Sequence, residues 1–197
     1  MHLTKWRIVI DFRALNNVII NEVFSLPNID IEGILNQLGS ANLFSVCDLL
    51  QGFFQMPLAA ESREYTAFST DKGHFHYKRM PMGLKVSPNN FQRLMNSVLS
   101  GMIGLKRLVY LDDIIIYGKD LEEHNNRLRE VFNRLRENNL SIQPHKCMFL
   151  TKECTYLGYI VSDQGIKPDP NKIKTVMEYP IPKTPKNIKS FLGLTGI

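Results

Sequence analysis

With 197 residues, 44% of them hydrophobic, the chain can bury a real core, which excludes a disordered polymer and fits one domain or a domain with part of a second. The formal net charge of +5 lies mostly in the second half, and residues 167–197 hold six lysines against two acids, a balance that suits a phosphate-backbone partner or an ordinary solvated surface. Three cysteines, Cys47, Cys147 and Cys154, are too scattered for a disulfide framework or a zinc site and read as intracellular packing thiols, while no stretch reads as a membrane span or a signal peptide.

In chain order, residues 6–12 alternate as a strand does and lead into a polar link around Asn16 and Asn17. Ile31, Ile34, Leu35 and Leu38 then recur at helical spacing and stop at Gly39. Residues 43–48 predict a buried strand ending in the carboxylate of Asp48. Residues 66–69 and 75–78 flank Asp71-Lys72-Gly73, a hairpin turn. Ser87 and Pro88 predict a helix start, the serine as cap and the proline in the first helical position. Phe91, Leu94, Met95, Val98 and Leu99 form its apolar stripe, and Gly101 ends it. A second helix over about 121–138 places Leu121, Asn125, Leu128, Phe132 and Leu135 on one side. Residues 155–161 predict a strand and 163–165 a turn; five prolines break up the remainder before a last helix at 188–194. Such a mixture of helices and hairpins predicts an α+β layer.

Chemistry concentrates in residues 108–118, where Asp112 and Asp113 stand side by side inside an apolar, β-branched run. Two adjacent carboxylates in such a run carry desolvation and like-charge penalties unless a cation occupies the site. The local reading is therefore a metal-binding hairpin. Asp48 is a third candidate carboxylate, although spacing alone does not bring it to the other two. His74 and His76 share a strand face by parity, without a third ligand, and read as an ordinary surface pair.

Several blocks in fixed order resemble reverse transcriptases. Residues 44–56, with Asp48 and Phe53, resemble the first catalytic block; residues 79–92, opening Arg79-Met80-Pro81-Met82-Gly83-Leu84 and closing on Gln92, resemble the nucleotide- and template-handling block. Tyr110-Leu111-Asp112-Asp113 resembles the catalytic hairpin, residues 6–16 the fingers strand, and Leu157-Gly158-Tyr159 the primer grip. The tail, 179–196, narrows the resemblance to LTR retrotransposons of the gypsy type. Met82 replaces the usual phenylalanine, keeping an apolar contact, and Val86 stands where an asparagine amide is usual.

The resemblance implies an α+β right-hand polymerase: partial fingers and palm over 1–166, N-terminally incomplete, and a truncated palm-to-thumb segment over 167–197. It implies an RNA-directed DNA polymerase core that adds deoxynucleotides to a primer 3′-hydroxyl and releases pyrophosphate, with a non-catalytic nucleic-acid-binding remnant as the alternative. Asp48 and Asp112, with Asp113 beside them, would hold Mg²⁺ (Mn²⁺ as substitute) in a two-metal reaction. Arg7 would clamp the incoming triphosphate, and Phe53 would exclude a ribose 2′-hydroxyl, a plain core phenylalanine being the other reading. Met82 would contact the nascent base pair, and Lys146 would sit near incoming phosphate, or else be a solvated lysine. Gln92, Tyr110, Gly158 and Tyr159 would support template and primer. Implied partners are an RNA or DNA template with primer, dNTPs, and the RNase H and integrase regions of a longer polyprotein, with no membrane. The implied setting is cytoplasmic, including a virus-like particle.

Overall fold

A computed structural model describes residues 9–20, 41–101, 107–110 and 113–195, with the backbone alone for 107–110. Arg7, Asp112 and the predicted helix over 31–38 lie outside the described residues.

Strand β1 is Leu43–Asp48, and it lies at the centre of the fold. It pairs antiparallel with β5, Asp113–Gly118, which forms a hairpin with β4, Arg107–Tyr110. On its other side it pairs with the short edge strand β6, Met148–Thr151, giving the sheet order β4-β5-β1-β6. Side chains alternate across this sheet. Cys47, Ile114 and Ile116 turn to one face, against Phe91, Met95, Val98 and Leu99 of helix α3 (Ser87–Val98) and its end, and Val131 and Leu135 of helix α4 (Leu121–Glu137). Phe44, Val46, Ile115 and Tyr117 turn to the other face. There Cys154, Tyr156 and Val161 cover them, supplied by a second antiparallel sheet of β7 (Glu153–Tyr156), β8 (Tyr159–Ser162) and β9 (Gly165–Pro168). Ile114, Ile115 and Ile116 are each fully buried, so each contributes about 1.5–3 kcal/mol from the area it withdraws from water.

The remaining elements are smaller. Helix α1, Arg13–Val18, is pinned to the turn before α3, because Asn16 donates from Nδ2 to the Gly83 carbonyl at 2.8 Å and accepts at Oδ1 from the Lys85 N–H at 2.9 Å. Helix α2 is the single turn Gly52–Gln55. Strands β2 (Phe68–Thr70) and β3 (Gly73–Phe75) form the expected hairpin. Helices α5, Pro170–Met177, and α6, Pro185–Thr195, follow β9.

Four local expectations are corrected. Residues 9–12, assigned to a strand, are irregular and lead into α1, because Phe12 turns inward to pack with Leu58, Met80 and Leu84. Ser87 is the first residue of α3 rather than its cap; its buried hydroxyl donates instead to the Pro81 carbonyl at 3.0 Å. The buried face of α4 is His124, Val131 and Leu135, whereas Leu121 is 54% exposed. Asp120 caps that helix by accepting from Glu123 N–H at 2.8 Å, and Glu123 in turn accepts from Lys119 N–H. This sharp start presses His124 onto Gly118, where an added Cβ would lie 2.8 Å from the His124 nitrogen. Finally, the strand expected over 155–161 is a hairpin. Leu157 and Gly158 both take positive φ, 51° and 78°, as a two-residue turn between right-twisted strands demands.

Candidate active site

Asp48 is the last residue of β1 and Asp113 the first of β5, and the two are register partners. Parity puts both on the face opposite α3 and α4, one step beyond Val46 and Ile115. The covering sheet that buries Val46 therefore stops short of the carboxylates, and both remain partly exposed. Tyr110 is the partner of Asp113 across the β4–β5 hairpin, whose connection, residues 111–112, lies outside the described residues.

The backbone of Asp48 is held by a neighbouring segment. A 3-10 turn, Pro144–Lys146, precedes β6, and the Gln143 N–H donates to the Asp48 carbonyl at 2.8 Å. The same turn brings Lys146 Nζ to 3.3 Å from Asp48 Oδ2. With the lysine side chain 51% exposed, this pair is worth little as a stabilising contact, but it fixes a cation beside the carboxylate. Asp113 has its pKa raised, first by burial and then by the Asp48 charge, with Lys146 opposing both. A carboxylate pair with that property favours a hard cation, since oxygen donors on one open face are what Mg²⁺ takes. Among the described residues no set of three His, Cys, Asp or Glu side chains gathers as a metal cage, and Asp112 is not among those residues.

Phe53 lies on α2, half-buried, with its ring edge-on to Phe91 at 5.6 Å; Phe54 turns the other way, toward Tyr77 at 6.2 Å. The segment is a helical turn and not extended, so the two rings diverge by helical rotation. Gln55, which no sequence pattern singles out, ties this turn to the Asp48 surroundings: its Nε2 donates to the carbonyls of Leu50 and Ser141, and its Oε1 accepts from Ser141 N–H at 2.6 Å. Met82 is half-buried in the turn that Asn16 pins. Gln92 is fully buried in α3 and donates to Asn96 Oδ1 at 3.0 Å. Gly158 and Tyr159 sit at the β7–β8 turn. The turn is held by the Asp169 N–H donating to the Gly158 carbonyl at 3.0 Å and by Lys172 Nζ lying 5.2 Å from the Tyr159 ring centre. His74 is exposed and its Nδ1 lies 2.7 Å from Ser69 Oγ.

Comparison with known proteins agrees with this arrangement. The profile of the family "Reverse transcriptase (RNA-dependent DNA polymerase)" matches residues 2–161. The retrovirus-related Pol polyprotein from transposon 297 of Drosophila melanogaster is 48% identical over 192 residues, covering 98% of this chain and 18% of the polyprotein. That from transposon gypsy of the same fly is 39% identical over 190 residues, 96% of this chain and 18% of the polyprotein. The chain thus spans less than a fifth of these relatives. Among solved structures, a foamy viral protease-reverse transcriptase in complex with double-stranded DNA superposes with a TM-score of 0.80 at 30% identity, covering 96% of this chain and 33% of that one. The same viral enzyme in complex with an RNA/DNA hybrid gives 0.77 at 30% identity, covering 96% and 25%. A carboxylate pair at the open end of a helix-backed antiparallel sheet, in an α+β right-hand polymerase fold, belongs to a chain that is a member of the reverse transcriptase family, closely related to the Pol polyproteins of gypsy-type LTR retrotransposons.

Proposed function

We propose that this chain is the palm and partial fingers of an RNA-directed DNA polymerase that extends a primer 3′-hydroxyl with deoxynucleotides on an RNA or DNA template. The observation that carries the reading is the direct pairing of Asp48 with Asp113 on the uncovered face of the sheet. Asp48 and Asp112 would hold magnesium, with Asp113 adjacent. When bound, the metal supplies the Lewis acidity that activates the primer hydroxyl and neutralises the leaving pyrophosphate. Lys146, whose Nζ lies 3.3 Å from Asp48 Oδ2, donates a proton to the departing pyrophosphate on this reading. Arg7 clamps the triphosphate, Phe53 stands against the ribose 2′ position, and Met82 lies under the nascent base pair. Tyr110, Gly158 and Tyr159 hold the primer end, and Gln92 supports the template strand from behind. The foamy viral enzymes solved with double-stranded DNA and with an RNA/DNA hybrid support template–primer as the partner. Further partners on this reading are the RNase H and integrase regions of a longer polyprotein.

The test is primer extension on poly(rA)–oligo(dT) with dTTP and Mg²⁺, comparing the parent with Asp112→Asn/Asp113→Asn. The parent extends and the variant does not, while both bind the duplex with the same salt dependence. Extension by the variant would overturn the carboxylate assignment. Duplex binding without extension by either would favour a non-catalytic nucleic-acid-binding remnant.

A further inference from the structure

Two of the three cysteines flank the candidate site. Cys47 immediately precedes Asp48 on β1, and Cys147 immediately follows Lys146 at the start of β6. Val46 and Met148 are antiparallel register partners, and Cys147 is extended, with φ −83° and ψ 145°. Cys47 and Cys147 are the next residues beyond that pair, and residues opposite one another in an antiparallel pair have Cα atoms roughly 4.5–5.5 Å apart, inside the range that a disulfide spans. The Cys147 thiol reaches β1 beside Cys47, its Sγ 3.9 Å from the Asp48 carbonyl oxygen, and both cysteines belong to the apolar cluster on the helix-facing side of the sheet. Cys147 Sγ also donates to the Gln143 carbonyl at 3.3 Å. Cys154 lies in the cluster on the opposite face, so the sheet separates it from the pair.

We propose that Cys47 and Cys147 form a reversible disulfide on exposure to a hydroperoxide, and that this cross-link reshapes the carboxylate site. Cys147 is half-buried and Cys47 fully buried, so the peroxide reaches Cys147 first. The Cys147 sulfur attacks the O–O bond, giving a sulfenic acid and one water; the Cys47 thiol sulfur then attacks that sulfur and expels a second water. Both thiols are oxidised, the peroxide is reduced, and each thiol proton leaves in water. The S–S bond is about 2.05 Å, shorter than any thiol–thiol hydrogen bond. The contraction is taken up by the end of β1 or by the 3-10 turn, the segments that carry Asp48 and Lys146 and that the Gln143–Asp48 backbone bond joins.

The experiment uses the whole chain, reduced, then treated with hydrogen peroxide, alkylated under denaturing conditions and mapped by mass spectrometry. The expected result is a Cys47–Cys147 linked peptide, reversed by dithiothreitol, with Cys154 alone alkylated; Cys147→Ser, which keeps a donor for the Gln143 carbonyl, abolishes the link. Hydrogen exchange read on the peptide containing Gln143 changes on oxidation in the parent and not in Cys147→Ser. In primer extension, oxidation lowers the parent's rate roughly 10–100-fold, the effect of about an ångström of misplacement in an active site, and dithiothreitol restores it. Both thiols remaining alkylatable, or Cys147 driven to sulfonic acid while Cys47 stays free, would overturn the disulfide. A link that leaves exchange at Gln143 unchanged would overturn its effect on the site. Linkage and exchange are read without turnover, so a chain inactive even when reduced counts against the polymerase reading and not against the cross-link.

Discussion

Ser45→Ala tests how the strand that carries Asp48 is anchored. Ser45 and His124 are both fully buried, and Ser45 Oγ lies 3.0 Å from His124 Nε2. The same oxygen accepts from the Leu150 N–H at 3.1 Å, so one hydroxyl joins β1 to α4 and to the edge strand β6. Removing it leaves two polar groups, the His124 ring nitrogen and the Leu150 amide, without their partner. A buried group left so costs about 1–3 kcal/mol; because Leu150 is 44% exposed, its amide can turn to water, and the substitution is expected to destabilise by about 1–3 kcal/mol. The His124 ring has no reserve among the described residues, because its Nδ1 finds no hydrogen-bond partner there, and burial, followed by the Arg127 charge, pushes its pKa down. Urea unfolding of the parent, Ser45→Ala, His124→Leu and the double variant would measure the coupling. The double variant should lose less than the sum of the singles by about 1–2 kcal/mol, as for groups sharing a buried hydrogen bond. A Ser45→Ala cost below about 0.5 kcal/mol, or strict additivity, would refute the anchoring role.

Two further substitutions probe the site itself. The Asp113 pKa is raised above its ordinary 3.8 in the folded chain, so the folded state holds the proton more tightly and stability falls as pH rises from about 3.8 through the raised value. Asp113→Asn is therefore expected to melt higher than the parent at pH 7 in EDTA, with the gap closing below pH 3.8; a lower melting temperature for the variant at pH 7 would sink this account. Phe53→Ala removes a half-buried ring that packs on Phe91, and on the proposed reading it increases ribonucleotide incorporation relative to deoxynucleotides. A lower stability with an unchanged incorporation ratio would make Phe53 a packing residue only.

Local signals in the chain predicted local structure well. The apolar run ending at Asp48 became a strand with the expected bounds, and the stripe from Phe91 to Leu99 is the buried face of α3. What was not legible depends on partners distant in sequence. Ser87 looked like a cap, but the Pro81 carbonyl competed for its hydroxyl. The run 155–161 looked like one strand because Leu157 is apolar; only its pairing with β9 and the Asp169 bond to the Gly158 carbonyl expose the turn. His124 was passed over because a lone histidine on a charged helix carries no signal until Ser45 is placed beneath it. The support of Asp48 by Gln143, and the shared apolar cluster of Cys47 and Cys147, likewise depend on segments about a hundred residues apart, which no spacing within either segment specifies.

The position of the carboxylates follows from how the central strands are covered. Both β1 and β5 are sandwiched for most of their length, helices on one face and the β7–β9 sheet on the other. A strand buried on both faces tolerates mainly apolar or satisfied side chains, and Phe44, Val46 and Ile115 meet that rule on the sheet-covered side. Asp48 and Asp113 are the first positions of the same face beyond the cover. They remain close enough to the core for Asp113 to be held neutral to a higher pH than usual, and open enough for a substrate to approach. Lys146 compensates Asp48 directly, while Asp113 feels both its own burial and the Asp48 charge. On the proposed reading, a further cation from solution relieves Asp113 beyond the opposing charge of Lys146. That relief predicts the sign of a metal titration: Mg²⁺ raises the melting temperature of the parent more than that of Asp113→Asn. Equal shifts in the two would remove Asp113 from the metal-binding set and leave its perturbed carboxyl a purely structural consequence of where the covering sheet ends.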